Sequence, residues 1–291
     1  MHKFLKAVGF HTYEKKREIE KLLDTLAQDS ENRKRISLDT DSNLCEIRAE
    51  VAPGLGIVMV GETDLEGQFQ REYYYPYLVS QDVTSEAECS IQRHTEKETY
   101  AGLLDEFKVG ISLIFYLDNM MEYRERTLDS ETVKVKAAKL TGFSVKGKIL
   151  LPLHKTEKQI GRAQVASKDR SSLLEAAKNG DEDAMETLTI EDIDMYSQIS
   201  RRVMKEDIYS IIDSCFMPCG VECDQYSVIG EIKQYEALKN KITGEEVYDL
   251  TLECSDLVFH VVIGRQDLLG EPKVGRRFKG QIWMQGTVIF E

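Results

Sequence analysis

The sequence predicts an α+β fold made of a mostly antiparallel N-terminal sheet with helices, a short helical connector and a small five-stranded β-barrel at the C-terminus. Strand-like runs occur together with local helices between them, rather than alternating strictly with helices. The length of 291 residues exceeds that of a usual single core. The apolar period turns helical between residues 167 and 206, so we expect units at 1–155, 156–205 and 206–291.

The first unit begins with an amphipathic helix over Tyr13–Ala27, because its apolar residues recur at helical spacing. Short helices are expected at Lys97–Glu106 and after Asp118. Apolar residues and lysines alternate between Val133 and Leu151 on both sides of Gly142, which predicts a hairpin with a glycine turn. The remaining predicted strands of this unit are Asn43–Val51, Leu55–Val60, Gln68–Tyr77, Ala87–Arg93 and Lys108–Leu117.

The connector carries clear helix boundaries. One helix should end at Gly180, Asp181 should cap the next, and Thr189 should begin a third that runs towards Met204. Five strands follow within a short length, which is typical of a small barrel such as the oligonucleotide/oligosaccharide-binding (OB-like) type. They are Ile208–Phe216, Tyr226–Tyr235, Glu246–Cys254, Leu257–Gly264 and Arg276–Phe290.

Charge and composition exclude several classes of function. The formal net charge of −13 argues against nucleic acid and anionic membrane as partners. The N-terminus lacks the apolar core of a secretory signal, and the longest apolar stretch, Val109–Leu117, is too short to span a bilayer. We therefore expect an acidic cytoplasmic protein whose six cysteines are free thiols.

A basic segment covers residues 133–170, where ten lysines and arginines face only two acidic residues. If the lysines share one face, this segment could bind an acidic protein, a phosphate-bearing ligand or the acidic remainder of the same chain. The structural alternative is a solvated sheet face on which lysines protect an edge.

The last predicted strand places Arg277, Lys279 and the only tryptophan, Trp283, on one face. Basic and aromatic side chains together are typical of surfaces that stack rings and attract phosphate, so these three are the candidate ligand-binding residues. The alternative is that a neighbouring unit covers Trp283.

Three cysteines at short spacing, Cys215, Cys219 and Cys223, are weak candidates for a metal site. Their spacing fits neither paired C-x-x-C knuckles nor a ferredoxin run, so no metal is predicted and ordinary thiols are the alternative. His94-Thr-Glu96 with Pro218-Cys219 also resembles a zinc deaminase signature, but one extra residue breaks its second half.

An enzyme is the main rival hypothesis. His94, Glu96 and Asp105 are weak candidates for catalysis in a pocket of the first unit near Tyr74, since ionisable groups cluster there by a predicted strand end. A charged loop and helix start capped by Thr95 explains them equally well. The sequence lacks the glycine-rich phosphate and dinucleotide motifs, so no cofactor is predicted.

Four stretches carry a family resemblance, namely Met1–Phe10, Gly110–Leu117, Phe216–Asp224 and Gly275–Gly286. Together they resemble an uncharacterised family of about this length from anaerobic Gram-positive bacteria, and the resemblance covers the whole chain. It implies no activity, cofactor or catalytic residue. The preferred hypothesis is therefore a non-catalytic binding or interaction protein.

Overall fold

A computed structural model describes residues 3–37, 43–64, 67–93, 98–129, 133–153, 166, 169–170, 172–220 and 224–291. The fold is α+β, as the sequence predicts, with a small sheet of four strands and a large sheet of eleven. Side chains from both sheets contribute to one hydrophobic core.

The small sheet is an antiparallel meander in chain order, and it contains three predicted strands within a few residues of their expected bounds. The predicted amphipathic helix is α1 (Lys16–Asp29), which packs on β2 through buried Ile19 and Leu23. The strands are β1 (Arg33–Ser37), β2 (Asn43–Ala52), β3 (Leu55–Thr63) and β4 (Phe69–Leu78).

The large sheet combines strands from the whole remaining chain. They are β5 (Cys89–Arg93), β6 (Tyr100–Glu106), β7 (Ile111–Leu117), β8 (Val135–Ser144), β9 (Gly147–Leu150), β10 (Cys215–Pro218), β11 (Gln225–Lys239), β12 (Glu246–Cys254), β13 (Leu257–Gly264), β14 (Leu268–Leu269) and β15 (Arg277–Phe290). Strand β8 lies between β13, to which it is parallel, and β15, to which it is antiparallel. Strand β11 pairs with both β12 and β15, so the pairings β11–β12–β13–β8–β15 return to β11. Strands from both sides of the expected boundary at residue 155 thus share one sheet, and the division into units stays a prediction.

The helices that follow are α2 (Met120–Asp129), α3 (172–178), α4 (Glu182–Val203) and α5 (Ile208–Ile211), with 3₁₀ helices at Lys3–Val8, Phe107–Val109 and Arg265–Asp267. The Asp181 side chain accepts from the Ala184 N–H, so the predicted N-cap is confirmed. The predicted break near Thr189 is wrong. Its hydroxyl donates to the Met185 carbonyl within a continuous α4, instead of capping a new helix.

Two predicted elements are wrong, because the apolar pattern of a short segment fits both the helical and the strand period. The expected helix at Lys97–Glu106 instead contains strand β6 from Tyr100 onward, and the burial of β6 alternates residue by residue. The expected strand Ile208–Phe216 instead begins with the single helical turn α5, which Asp207 caps, and only its end belongs to β10.

The predicted hairpin is also wrong. Strands β8 and β9 run end to end along β15, and in the described part of the chain they do not pair with each other. Gly142 therefore lies inside a strand. A Cβ at Gly142 would lie 2.8 Å from the Ile282 side chain, so close packing explains this glycine and a turn does not.

The N-terminal 3₁₀ helix, Lys3–Val8, lies in the core and contacts β3 and β4 of the small sheet and β8 and β13 of the large sheet. Phe4, Leu5, Ala7 and Val8 are all buried. In the part of the chain that the structure describes, no helix has the length and apolar character needed to cross a membrane.

Candidate functional site

One face of β15 carries Arg277, Lys279, Gln281 and Trp283. This polar face is covered at Arg277 and at Trp283 and is open between them. At one end Arg277 is 4% exposed. Its guanidinium donates to the Leu151 carbonyl at 3.0 Å and to the Tyr209 carbonyl at 2.7 Å. These bonds hold α5 and the end of β9 in place, so the structure gives Arg277 an anchoring position.

Trp283 lies at the other covered end and is 5% exposed. The Phe4 ring stacks on it at 5.4 Å between centroids, and Tyr116 and Phe143 pack at 5.4 and 6.1 Å. Its indole N–H donates to the Asp224 carboxylate at 2.7 Å. The tryptophan is therefore a core residue whose ring lies one side chain away from the open part of this face.

The open part is a cavity of about 900 Å³ between the N-terminal 3₁₀ helix and the strands β9, β11 and β15. We call it the lysine pocket. Asp267 is the single carboxylate among its described lining residues. Its cationic lining residues are Lys3, Lys146, Lys148 and Lys279, and its neutral polar ones are Gln225, Ser227, Gln266 and Gln281.

Two of these lysines are direct neighbours. Lys148 and Lys279 are opposite each other in the antiparallel pairing of β9 with β15. Like charges in this arrangement destabilise a sheet. The Tyr209 ring lies 4.4 Å from the Lys148 ammonium and 4.2 Å from that of Lys279, and the Lys279 ammonium also donates to the Tyr209 hydroxyl. This hydrogen bond lowers the pKa of Tyr209.

The residue pair next to Lys148 and Lys279 consists of two glycines, Gly147 and Gly280. A Cβ on either glycine would lie within 2.6 Å of the Phe278 ring. The Phe278 ring thus fills the space that these side chains would need. Strands β9 and β15 therefore pack closely against Phe278 directly beside the pair Lys148 and Lys279.

The single acidic lining residue has a separate partner. The Asp267 carboxylate lies 3.0 Å from His11 Nε2. Burial raises the pKa of Asp267. Lys3, at the far end of the pocket, donates to the Gln225 side-chain oxygen at 3.3 Å. The carboxylate therefore faces a histidine, and the pocket keeps an excess of positive charge.

The catalytic hypothesis stays a prediction, because the structure describes only part of its residues. Asp105 lies on β6, where it accepts from Lys178 and Ser112 at 2.6 Å each. The hydrogen bond from Lys178 lowers its pKa. Tyr74 lies on β4, partly buried against the core. His94 and Glu96 lie outside the described residues.

The structure also describes only some of the cysteine candidates for a metal site. Cys215 and Cys219 are half-buried thiols at the two ends of the β10 segment, whereas Cys223 lies outside the described residues. Burial raises the pKa of Cys215 and of Cys219, which disfavours the thiolate that a metal needs. Among the described residues, no group of histidine, cysteine and acidic side chains is arranged to hold a metal ion.

Sequence reasoning found part of the lysine pocket. The lysine alternation identified Lys146 and Lys148, and the β15 pattern identified Lys279. It missed Lys3 and Tyr209, which join the site through contacts more than 60 residues away along the chain. No local pattern marks either of them.

The fold and the pocket define an α+β protein with a lysine-lined cavity on one sheet face. Residues 5–286 match a family described as a domain of unknown function named for an E. rectale gene description, DUF3881. The chain belongs to that family, and the predicted full-length resemblance to an uncharacterised family is confirmed. The chain matches no curated protein and no solved structure.

Proposed function

We propose that this is a non-catalytic cytoplasmic binding protein that holds a phosphate-bearing small molecule in the lysine pocket. The observation that carries the proposal is the direct pairing of Lys148 with Lys279 at the edge of a cavity of about 900 Å³. The Tyr209 ring already lies against both ammonium groups, and an anion that contacts both would offset their repulsion more fully than an aromatic ring does. The volume lies within the range of small-molecule sites.

A small molecule explains the pocket better than the acidic protein that the basic segment also suggested. The chain carries a net charge of −13, which repels an acidic macromolecule over a long range. A concave site focuses the field of its own lysines, so a small anion can still be attracted locally. Of the lysines and arginines in the basic segment, only Lys146 and Lys148 line the pocket among the described residues.

The proposal includes the predicted barrel. We propose that the closed circuit of β11, β12, β13, β8 and β15 is that small barrel, with β8 in the position expected for Ile208–Phe216. The lysine pocket would then lie on its outer surface, beside the strand that carries Lys279. The pairings on both sides of β11 and of β8 support this arrangement.

Calorimetric titration tests the binding function. Phosphate monoesters such as adenosine 5′-monophosphate and fructose 6-phosphate should bind, and their uncharged parents should not. Trp283 emission should change as well, because the Phe4 ring that lines the pocket stacks on it. Lys148→Gln and Lys279→Gln should each weaken binding about tenfold or more, since a hydrogen bond to a charged group contributes roughly 1.5–3 kcal/mol.

Lys136→Gln is the matched control, because Lys136 is an exposed residue of the same basic segment on β8 but does not line the pocket. It should leave the affinity unchanged. Wild-type protein that binds no phosphate ester, or equal losses in all three variants, would rule the proposal out.

A further inference from the structure

We infer that the ligand of the lysine pocket is an organic bisphosphate, with two anionic groups at opposite ends of a neutral, hydrogen-bonding body. This inference depends on the proposed function and specifies its ligand class. It follows from the order in which charged and neutral side chains line the cavity.

The first cationic end is formed by Lys148 and Lys279, which are opposite each other, with Lys146 two residues away on the approach to β9. A phosphate group carries enough oxygen acceptors to bind several ammonium groups at once. We therefore assign these three lining lysines to one anion subsite, with the pair Lys148 and Lys279 at its centre.

The second cationic end is formed by Lys3. Its ammonium lies beside the Gln225 side chain, and Gln225 pairs with Trp283, four residues along β15 from Lys279. Four residues of a strand span roughly 13 Å, so a single phosphate cannot contact both ends. The neighbours of Lys3 are fixed, because Phe4 and Leu5 are buried in the core.

The floor between the two ends is neutral. Ser227 and Gln281 are direct partners in the pairing of β11 with β15, and both line the pocket. Hydroxyl and amide groups recognise sugar hydroxyls or base edges without a requirement for charge. A bisphosphorylated sugar and a nucleoside bisphosphate share this chemistry, since each places phosphates on both sides of a polar body.

The test compares ligands that differ only in the second phosphate. Fructose 1,6-bisphosphate is titrated against fructose 6-phosphate, and adenosine 3′,5′-bisphosphate against adenosine 5′-monophosphate. At least one bisphosphate should bind about tenfold or more tightly than its monophosphate. The pair of ligands that shows this difference identifies the neutral body of the ligand as a sugar or a nucleoside. Inorganic pyrophosphate, which has two phosphates and no body between them, should gain no such advantage.

Two variants separate the ends of the pocket. The protein carries no tag next to Lys3 in these experiments, because Lys3 lines the pocket. Lys3→Gln should remove the tenfold advantage of the bisphosphate and leave monophosphate affinity unchanged. Lys279→Gln should weaken both ligands.

The outcomes distinguish this inference from the proposed function. If monophosphates bind and bisphosphates bind equally well, or if Lys3→Gln weakens both ligands to the same extent, the bisphosphate inference is wrong and the anion site stands. If no phosphate ester binds, both fail together.

Discussion

At the scale of single residues, Arg48 forms a cluster with two buried carboxylates outside the pocket. Its guanidinium donates to the Glu46 carboxylate at 2.8 Å, and to the carboxylate and backbone carbonyl of Asp118 at 3.1 and 2.9 Å. Burial raises the pKa of Glu46. The cluster connects β2 of the small sheet to the end of β7 in the large sheet, so one side chain joins the two sheets.

Arg48→Met should lower the free energy of unfolding by about 3–5 kcal/mol, because it leaves two buried carboxylates without their cation. Urea denaturation measures the change. Arg265→Met is the matched control, since Arg265 is 63% exposed beside Glu246, and it should change the free energy of unfolding far less. Adding Glu46→Gln and Asp118→Asn to Arg48→Met should recover part of the loss. Equal losses for Arg48→Met and Arg265→Met would contradict the role of burial.

Glycines show why residue-scale prediction succeeded in some places and failed in others. Gly180 has a φ value of +90°, and the sequence correctly marked the end of a helix there. Gly142 is a glycine because of the Ile282 side chain packed against it. A turn glycine is recognisable from its chain neighbours, whereas a packing glycine depends on a residue far away in the sequence.

At the scale of elements, the N-terminal 3₁₀ helix holds the two sheets together. It is only six residues long, yet it contacts strands of both sheets and supplies Lys3 to the pocket. Such a short helix has little stability of its own. Its conformation therefore depends on the burial of its apolar side chains.

Leu5→Ala should destabilise the protein by about 2–5 kcal/mol, because Leu5 is fully buried and the substitution leaves a cavity. Leu269→Ala is the matched control. Leu269 is 75% exposed, and its truncation should change the free energy of unfolding by less than about 0.5 kcal/mol. Chemical denaturation of both variants decides the question, and a Leu5→Ala protein as stable as Leu269→Ala would show that the helix does not hold the sheets together.

Local periodicity predicted long elements better than short ones. It identified α1 and the strands β2, β3, β12 and β13, in which the pattern repeats several times. It failed for β6 and α5, because seven and four residues fit a strand or a helix almost equally well. Contacts with neighbouring strands and with Arg277, rather than local propensity, determine these two segments.

At the scale of the whole molecule, long-range pairing creates the candidate site. The lysine pocket draws on residues near position 3, near 147, near 226, near 267 and near 280, which lie in five separate parts of the chain. The sequence predicted most strands of the large sheet but not that β8 lies between β13 and β15. Periodicity shows which face of a strand is buried and carries no information on which distant strand pairs with it.

His260 is a further connection between distant parts of the chain. It lies on β13, with Nδ1 2.9 Å from Asp249 on β12 and Nε2 2.9 Å from Asp82 in the segment before β5. Burial disfavours the charged imidazolium, but the hydrogen bonds and charges of Asp249 and Asp82 outweigh burial and raise the pKa of His260 above its ordinary value of 6.5. The folded state therefore binds this proton more tightly than the unfolded state does.

This pKa shift predicts how stability depends on pH. A raised histidine pKa stabilises the fold fully below about pH 6.5, the unfolded value, and the stabilisation is lost as pH rises through the folded pKa. The free energy of unfolding of the wild type, measured with urea from pH 5.5 to 9, should therefore exceed that of His260→Gln most at the acid end. Asp249→Asn should reduce this dependence more than Asp82→Asn, because the Asp249 side chain is 15% exposed and that of Asp82 is 54% exposed. A difference between wild type and His260→Gln that stays constant across the range would show that His260 does not gain a proton on folding.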